Sequence, residues 1–258
     1  MPMQSASEHR FSISDLPSFP FSGWDGPALG RALESELGLR RLEALVDGAA
    51  GRGAEGDFLA RTLENLGVSD RLPEEDFLGI PRTGPVVVVA NRPSSAVEGL
   101  LLGAILRTLR PDVRFLADHR LARIPDVRGA LLFVDPFGRR EPVARDRAPL
   151  RQAIRWVEKG GLLVLLAAGE VAFSRAESEE TTWSPPVALI LRWTEARAVP
   201  AYFAGPNGPL FRIVGGIQRR LRTALLPPES LGGSGRTFDV RAGAPVPVEE
   251  LEGMAEAR

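Results

Sequence analysis

Cysteine is missing altogether, so neither disulfide cross-links nor thiolate chemistry can operate in this chain. The redox compartment is left open by that, and a reducing cytoplasm suits the sequence easily. Histidine occurs only at His9 and His119, so imidazole, the side chain best suited to moving protons near neutral pH, is almost absent. Lysine is scarcer still. Lys159 is the sole one among 32 basic residues, which are matched by 33 acidic ones. A formal charge of −1 gives no global field for a nucleic-acid partner. No apolar run approaches the ~18 residues of a membrane-spanning helix, the stretches at 100–106 and 162–168 being the nearest. The first twenty residues are polar, with Pro and Ser, and lack a signal core. The expectation is a cytoplasmic protein whose membrane contact, if any, is peripheral at the inner face. Metal-ligand spacing, a Gly-x-Gly-x-x-Gly loop after a strand and a phosphate P-loop are all lacking, so no metal or nucleotide cofactor is expected.

The 258 residues that are present carry 44% apolar and 25% charged side chains, enough to bury one sizeable core. Residues 1–25 read as a flexible tail and 26–258 as one α/β domain, of which 26–75 form a helical preface. Leu29, Leu33, Leu37, Leu39 and Leu42 recur at helical spacing and predict a helix over 27–46. A second, shorter helix opens near Asp57 and is closed by Gly67. Strand and helix then alternate. Strands are predicted at 85–90, 113–117, 131–134, 162–166, 198–203 and 238–242. Helices are predicted at 98–110, 148–159 (ended by Gly160 and Gly161) and 185–194, with a basic one at 217–226. That rhythm means a mostly parallel central sheet flanked by helices, whose ligands collect beyond the strand ends.

The chemistry-bearing candidates lie in the loops. The first strand runs into Asn91, Arg92, Pro93, Ser94, Ser95, Ala96, Val97, Glu98 and Gly99. Further along come Val134-Asp-Pro-Phe-Gly138, Leu166-Ala-Ala-Gly-Glu-Val-Ala172 and Val199-Pro-Ala-Tyr-Phe203, then Leu221–Leu226. In this order and spacing the blocks resemble the phospholipid/glycerol acyltransferase superfamily, particularly its bacterial lyso-ornithine-lipid acyltransferase and hemolysin-like branch. There the first strand ends in Asn-His-Pro followed by Asp-Gly, and the third block is usually Phe-Pro-Ala-Gly-Glu or Phe-Pro-Glu-Gly-Thr.

The resemblance implies transfer of an acyl group from a thioester to a lysolipid-type hydroxyl, with no bound cofactor. The donor would be acyl-carrier protein or coenzyme A, and the partners a lipid or lysolipid and such a carrier or another protein. It places Arg92 and Glu98 at the positions of the family's catalytic histidine and aspartate. Asn91, Ser94 and Ser95 of the first block, Asp135, Phe137 and Gly138 of the second, and Gly169, Glu170 and Val171 of the third would line the substrate.

At the decisive position the pattern is broken. A guanidinium offers donors only and stays protonated below pH ~12, so Arg92 cannot take the acceptor's proton as histidine does. The third block has Leu166 and Ala167 where Phe-Pro is usual, which removes a stiffening proline. Among substitute bases, His9 lies in the tail, and His119 follows the second strand, close enough in sequence to approach the site or simply to begin a helix. Glu98 would need desolvation to raise its pKa, and a nearby arginine opposes that. Ser94 and Ser95 have no histidine placed to activate them. Glu170 suits either a head-group amine or a structural cap. The expected function is therefore an acyl- or lysolipid-binding member with catalysis lost or strongly impaired. The alternative is a working thioester-dependent acyltransferase that relies on positioning or another base.

Two softer signals remain. Arg212, Arg219, Arg220 and Arg222 are interleaved with Phe211, Ile213, Ile217 and Leu221, as an interfacial helix or an ordinary solvated face would have them. Arginines also crowd between Arg107 and Arg155, a composition suited to phosphate or carboxylate or merely inherited from a GC-rich genome. Trp156, Trp183 and Trp193 are expected in packing roles.

Overall fold

The computed structural model describes residues 39–50, 55–91, 97–134, 147–166, 185–204 and 235–251. These build helices α1 (Leu39–Ala49), α2 (Glu55–Leu66), α3 (Glu74–Leu78), α4 (Val97–Leu109), α5 (Arg147–Glu158) and α6 (Pro185–Thr194). The strands are β1 (Ser69–Arg71), β2 (Val86–Ala90), β3 (Val113–Asp118), β4 (Leu131–Val134), β5 (Leu162–Leu166), β6 (Arg197–Ala204) and β7 (Thr237–Ala242). Two 3-10 turns, His119–Arg123 and Pro125–Ala130, join β3 to β4. The predicted tail, the first part of the 27–46 helix and the basic 217–226 helix fall outside the described residues.

The strands form one seven-stranded sheet in the order β1-β7-β6-β2-β5-β3-β4. Every pairing is parallel except β6 with β7, so the predicted mostly parallel sheet flanked by helices is the architecture found. β2 lies at the middle, in register with β5 (Ala90 beside Leu166) and with β6 (Ala90 beside Ala201). All five of its residues are buried, as expected of a continuous Val run covered on both faces.

Alternate residues of β2 feed two cores. Val86, Val88 and Ala90 meet Leu101, Leu102, Ile105 and Leu106 of α4, with Leu63, Leu66 and Phe77 from α2 and α3. Val87 and Val89 face Ala153, Ile154 and Val157 of α5 and Ile190 and Leu191 of α6. A third, smaller cluster, with Val46, Phe58, Leu59, Ile124 and Val127, fastens α1 and α2 to the 3-10 turns.

At the N-terminal edge of the parallel strands a buried arginine acts as a staple. Arg110 is 2% exposed. Its Nε and Nη2 donate to the two carboxylate oxygens of Asp112 at 2.8 and 2.5 Å. Its Nη1 donates to the carbonyls of Pro81 (3.2 Å) and Gly84 (2.8 Å), and Nη2 to that of Gly160 (2.6 Å). One guanidinium therefore ties the turns that precede β2, β3 and β5. Gly84 and Gly160 adopt φ of 83° and 87° to present those carbonyls, a backbone region in which a side chain is strained. Beside them the Trp156 indole N–H donates to the Leu162 carbonyl at 3.2 Å, and the Arg114 guanidinium stacks 3.8 Å above its ring. Gly161 leaves room for that indole, since a Cβ there would sit 2.4 Å from it.

Two carboxylates are held below the usual carboxylate range by hydrogen bonds from arginine: Asp112 by Arg110, and Asp76 by Arg241. Asp76 also accepts from the Ala242 N–H at 3.2 Å, which pins α3 to β7. A depressed folded pKa adds stability that is fully present above the unfolded value and is lost as pH falls through the folded one. Thermal unfolding should accordingly show a melting temperature that declines once pH drops below about 4, the unfolded Asp value. In the Asp76→Asn, Asp112→Asn double variant that decline should be shallower, from a lower starting point at pH 7.

Candidate functional site

The parallel strands β2, β3, β4, β5 and β6 all point the same way, so their C-terminal ends form one edge. The segments 91–96, 135–146 and 167–184 leave from that edge after β2, β4 and β5, and 205–234 leaves after β6. Register brings the departures together: Leu166 and Ala201 flank Ala90, and Val134 lies beside Asp118. Three of the sequence blocks thus begin or end at one sheet edge, and the fourth is β6 itself, which ends there.

Of the predicted site residues, Asn91 and Glu98 are described. Glu98 is in the first turn of α4, fully buried at 0% exposure. A carboxylate there is favoured by the helix dipole, and the residue has interactions of its own in the fold. The next residue explains how the helix start comes so close to the sheet: a Cβ on Gly99 would lie 3.3 Å from Leu166 Cδ1. Gly103, one turn on, approaches Leu59 and Phe115 in the same way, at 3.0 and 3.2 Å. α4 therefore packs closely on β3 and on the end of β5, and its first turn sits beside the residue that opens the third block.

Asn91 has its partner within the sheet. Its Oδ1 accepts from the Phe203 N–H at 2.7 Å and its Nδ2 donates to the Phe203 carbonyl at 3.0 Å. The amide is engaged with β6 at both ends. Sequence reading had no means of finding this partner, which is more than a hundred residues away in the chain.

Arg92, Ser94, Ser95, Asp135, Phe137, Gly138, Gly169, Glu170 and Val171 lie outside the described residues, as do His9 and Trp183. His119 opens the 3-10 turn directly after β3, at the same edge of the sheet. Trp156 packs as expected, but Trp193 is 63% exposed near the end of α6 and Tyr202 is 56% exposed on β6. The arginine-rich stretch after Arg107 is partly committed to structure, because Arg110 and Arg114 are held by Asp112 and Trp156.

Elsewhere, an open groove is lined by Asp70, Arg71, Leu72, Pro73, Asp239 and Arg241. Its charges already face one another, with Arg71 4.0 Å from Asp239 and Arg241 on Asp76. It is a solvated rim rather than a ligand site. Among the described residues no group of three His, Asp or Glu side chains could hold a metal ion, and no helix is long and apolar enough to cross a membrane.

No protein-family model and no curated protein matches the chain. Among solved structures it is similar to the crystal structure of the 1-acyl-sn-glycerophosphate (LPA) acyltransferase PlsC from Thermotoga maritima. The identity is 14%, over 87% of this chain and 93% of that chain, with a TM-score of 0.40.

Proposed function

We propose that this protein binds an acyl chain or lysolipid-type ligand at the C-terminal edge of its sheet, and that its general-base catalysis is lost or strongly impaired. The observation that supports this reading is convergence. The first and third blocks depart from the ends of the adjacent strands β2 and β5, the second from the same edge at β4, and the fourth is β6, which pairs with β2. Open α/β sheets bind ligands at that edge. Loss of catalysis rests on Arg92, whose guanidinium has no acceptor for a proton. What is kept is a binding role, alone or as a partner to an acyl-carrier protein or another subunit, with membrane contact confined to the surface.

The test uses the purified full chain. Long-chain acyl-carrier protein or acyl-coenzyme A is supplied with a panel of lysolipids, and binding is followed separately by calorimetry and native mass spectrometry. Lysolipid should bind, while acyl transfer stays at the uncatalysed rate. Turnover that survives Arg92→Ala would establish the competing reading, a working acyltransferase that needs no base at position 92. Failure to bind any fatty acid or lysolipid would reduce the chain to a structural module.

A further inference from the structure

β2 ends at Ala90, whereas its neighbour β6 continues to Ala204. Ala90 is in register with Ala201, so Phe203 reaches beyond the last residue of β2 with a backbone N–H and a C=O still to be satisfied. Phe203 is fully buried, and an orphaned backbone group at such a place is costly. The Asn91 side chain supplies both partners, at 2.7 and 3.0 Å. A primary amide carries an acceptor and a donor side by side, as a peptide group does. Asn91 thus extends the β2–β6 ladder by one step with its side chain, while its own backbone is released to leave the sheet.

We infer that Asn91 is a positioning residue: it fixes the direction in which the chain leaves β2 toward position 92, and it is not a ligand to substrate. The functional part of this inference rests on the proposed site at the sheet edge. The chemistry of the clamp is independent of it. A substrate-binding amide would have to be shared with a buried backbone that already holds it at both ends. Alanine at this position removes both bonds. Aspartate keeps the acceptor for the Phe203 N–H but, ionised, has no donor for the carbonyl.

The absence of cysteine makes a direct test simple. Arg92→Cys and Gln152→Cys supply the only two thiols, the latter at an exposed position on α5, and both are labelled with nitroxides. The inter-label distance distribution is read by pulsed electron resonance in the Asn91, Asn91→Asp and Asn91→Ala backgrounds, each shown by circular dichroism to be folded. It should shift or broaden in Asn91→Ala and do so to a smaller degree in Asn91→Asp. Superimposable distributions would overturn the inference, since the amide would then serve stability alone. A second arm measures lysolipid affinity. Asn91→Ala should weaken it about tenfold in the Arg92 protein and no further in Arg92→Ala, because coupled residues are not additive. An equal loss in both backgrounds with an unchanged distance distribution would make Asn91 a direct ligand and defeat the inference. If the parent binds no lysolipid, the proposed site fails, and the label distances still decide the role of Asn91.

Discussion

Arg92→His combined with Glu98→Asp should raise acyl transfer from a long-chain thioester to a lysolipid by about 10²–10⁴-fold over the parent, the usual worth of a positioned general base. The substitution exchanges a side chain that has only donors for one that accepts a proton at neutral pH. The expectation also draws on position 98, where the resemblance puts the acidic partner of the base. Glu98 is buried in the first turn of α4, so its side chain is held by the helix and its surroundings. Gly99 lets that turn approach Leu166, so the carboxylate is carried by a helix seated on the sheet and not by a free loop. Arg92→Ala and Arg92→Lys serve as controls and should give no gain, because neither introduces an acceptor of suitable pKa. Arg92→His with Glu98→Gln should forfeit most of the gain, since the acidic group that the resemblance assigns to orienting the imidazole is then absent. The measurement is release of free carrier protein or coenzyme A against time. A parent that already turns over, and is unaffected by Arg92→Ala, would remove the premise.

The sheet was legible in the sequence wherever burial is two-sided. The Val86–Val89 run, the 162–166 run and the strand at 131–134 carry too many apolar residues in too short a stretch to be anything else. Helix limits were legible where punctuation is strong, as at Pro185 and at Gly67, whose φ of 62° closes α2. β1 was missed for a physical reason. Its three residues, Ser-Asp-Arg, are all exposed and owe their conformation to pairing with β7, a partner far off in sequence. α3 and the 3-10 turns are too short to show a period. The candidate blocks are legible in the sequence, whereas the register that brings the ends of β2, β5 and β6 together, and the partners of individual polar side chains, are not. Nothing in the sequence ties Asn91 to the Phe203 backbone, or Arg110 to the carbonyls of Pro81, Gly84 and Gly160. Both partners are hidden for one reason. A polar side chain advertises its hydrogen-bonding capacity in the sequence, whereas the backbone group that consumes it becomes visible only when the strands are assembled.

Arg110→Ala should cost about 3–5 kcal/mol of folding stability, a large share of what a domain of this size has. The loss has two parts. Asp112 is 35% exposed and regains water once the fork is gone, so its charge alone is a modest penalty. The carbonyls of Pro81, Gly84 and Gly160 lose their donor together, in a place where the guanidinium was 2% exposed and its removal leaves a cavity. Arg110→Lys should recover little, because one ammonium cannot cover five contacts arranged as a planar fork. Asp112→Asn should cost less than Arg110→Ala, since the carbonyl contacts survive it. Arg82→Ala, on an exposed side chain at the same edge with one long bond to the Leu109 carbonyl, should change stability by less than about 0.5 kcal/mol. Urea unfolding checks all four through the midpoint at constant m-value. The staple is at the N-terminal edge of the strands and the proposed ligand site at the other. Lysolipid affinity measured below the onset of unfolding should therefore be the same in Arg110→Ala as in the parent. On the proposed reading stability and binding belong to opposite ends of one sheet, and a variant that lowers both would show that the ends are coupled through β2 and β5.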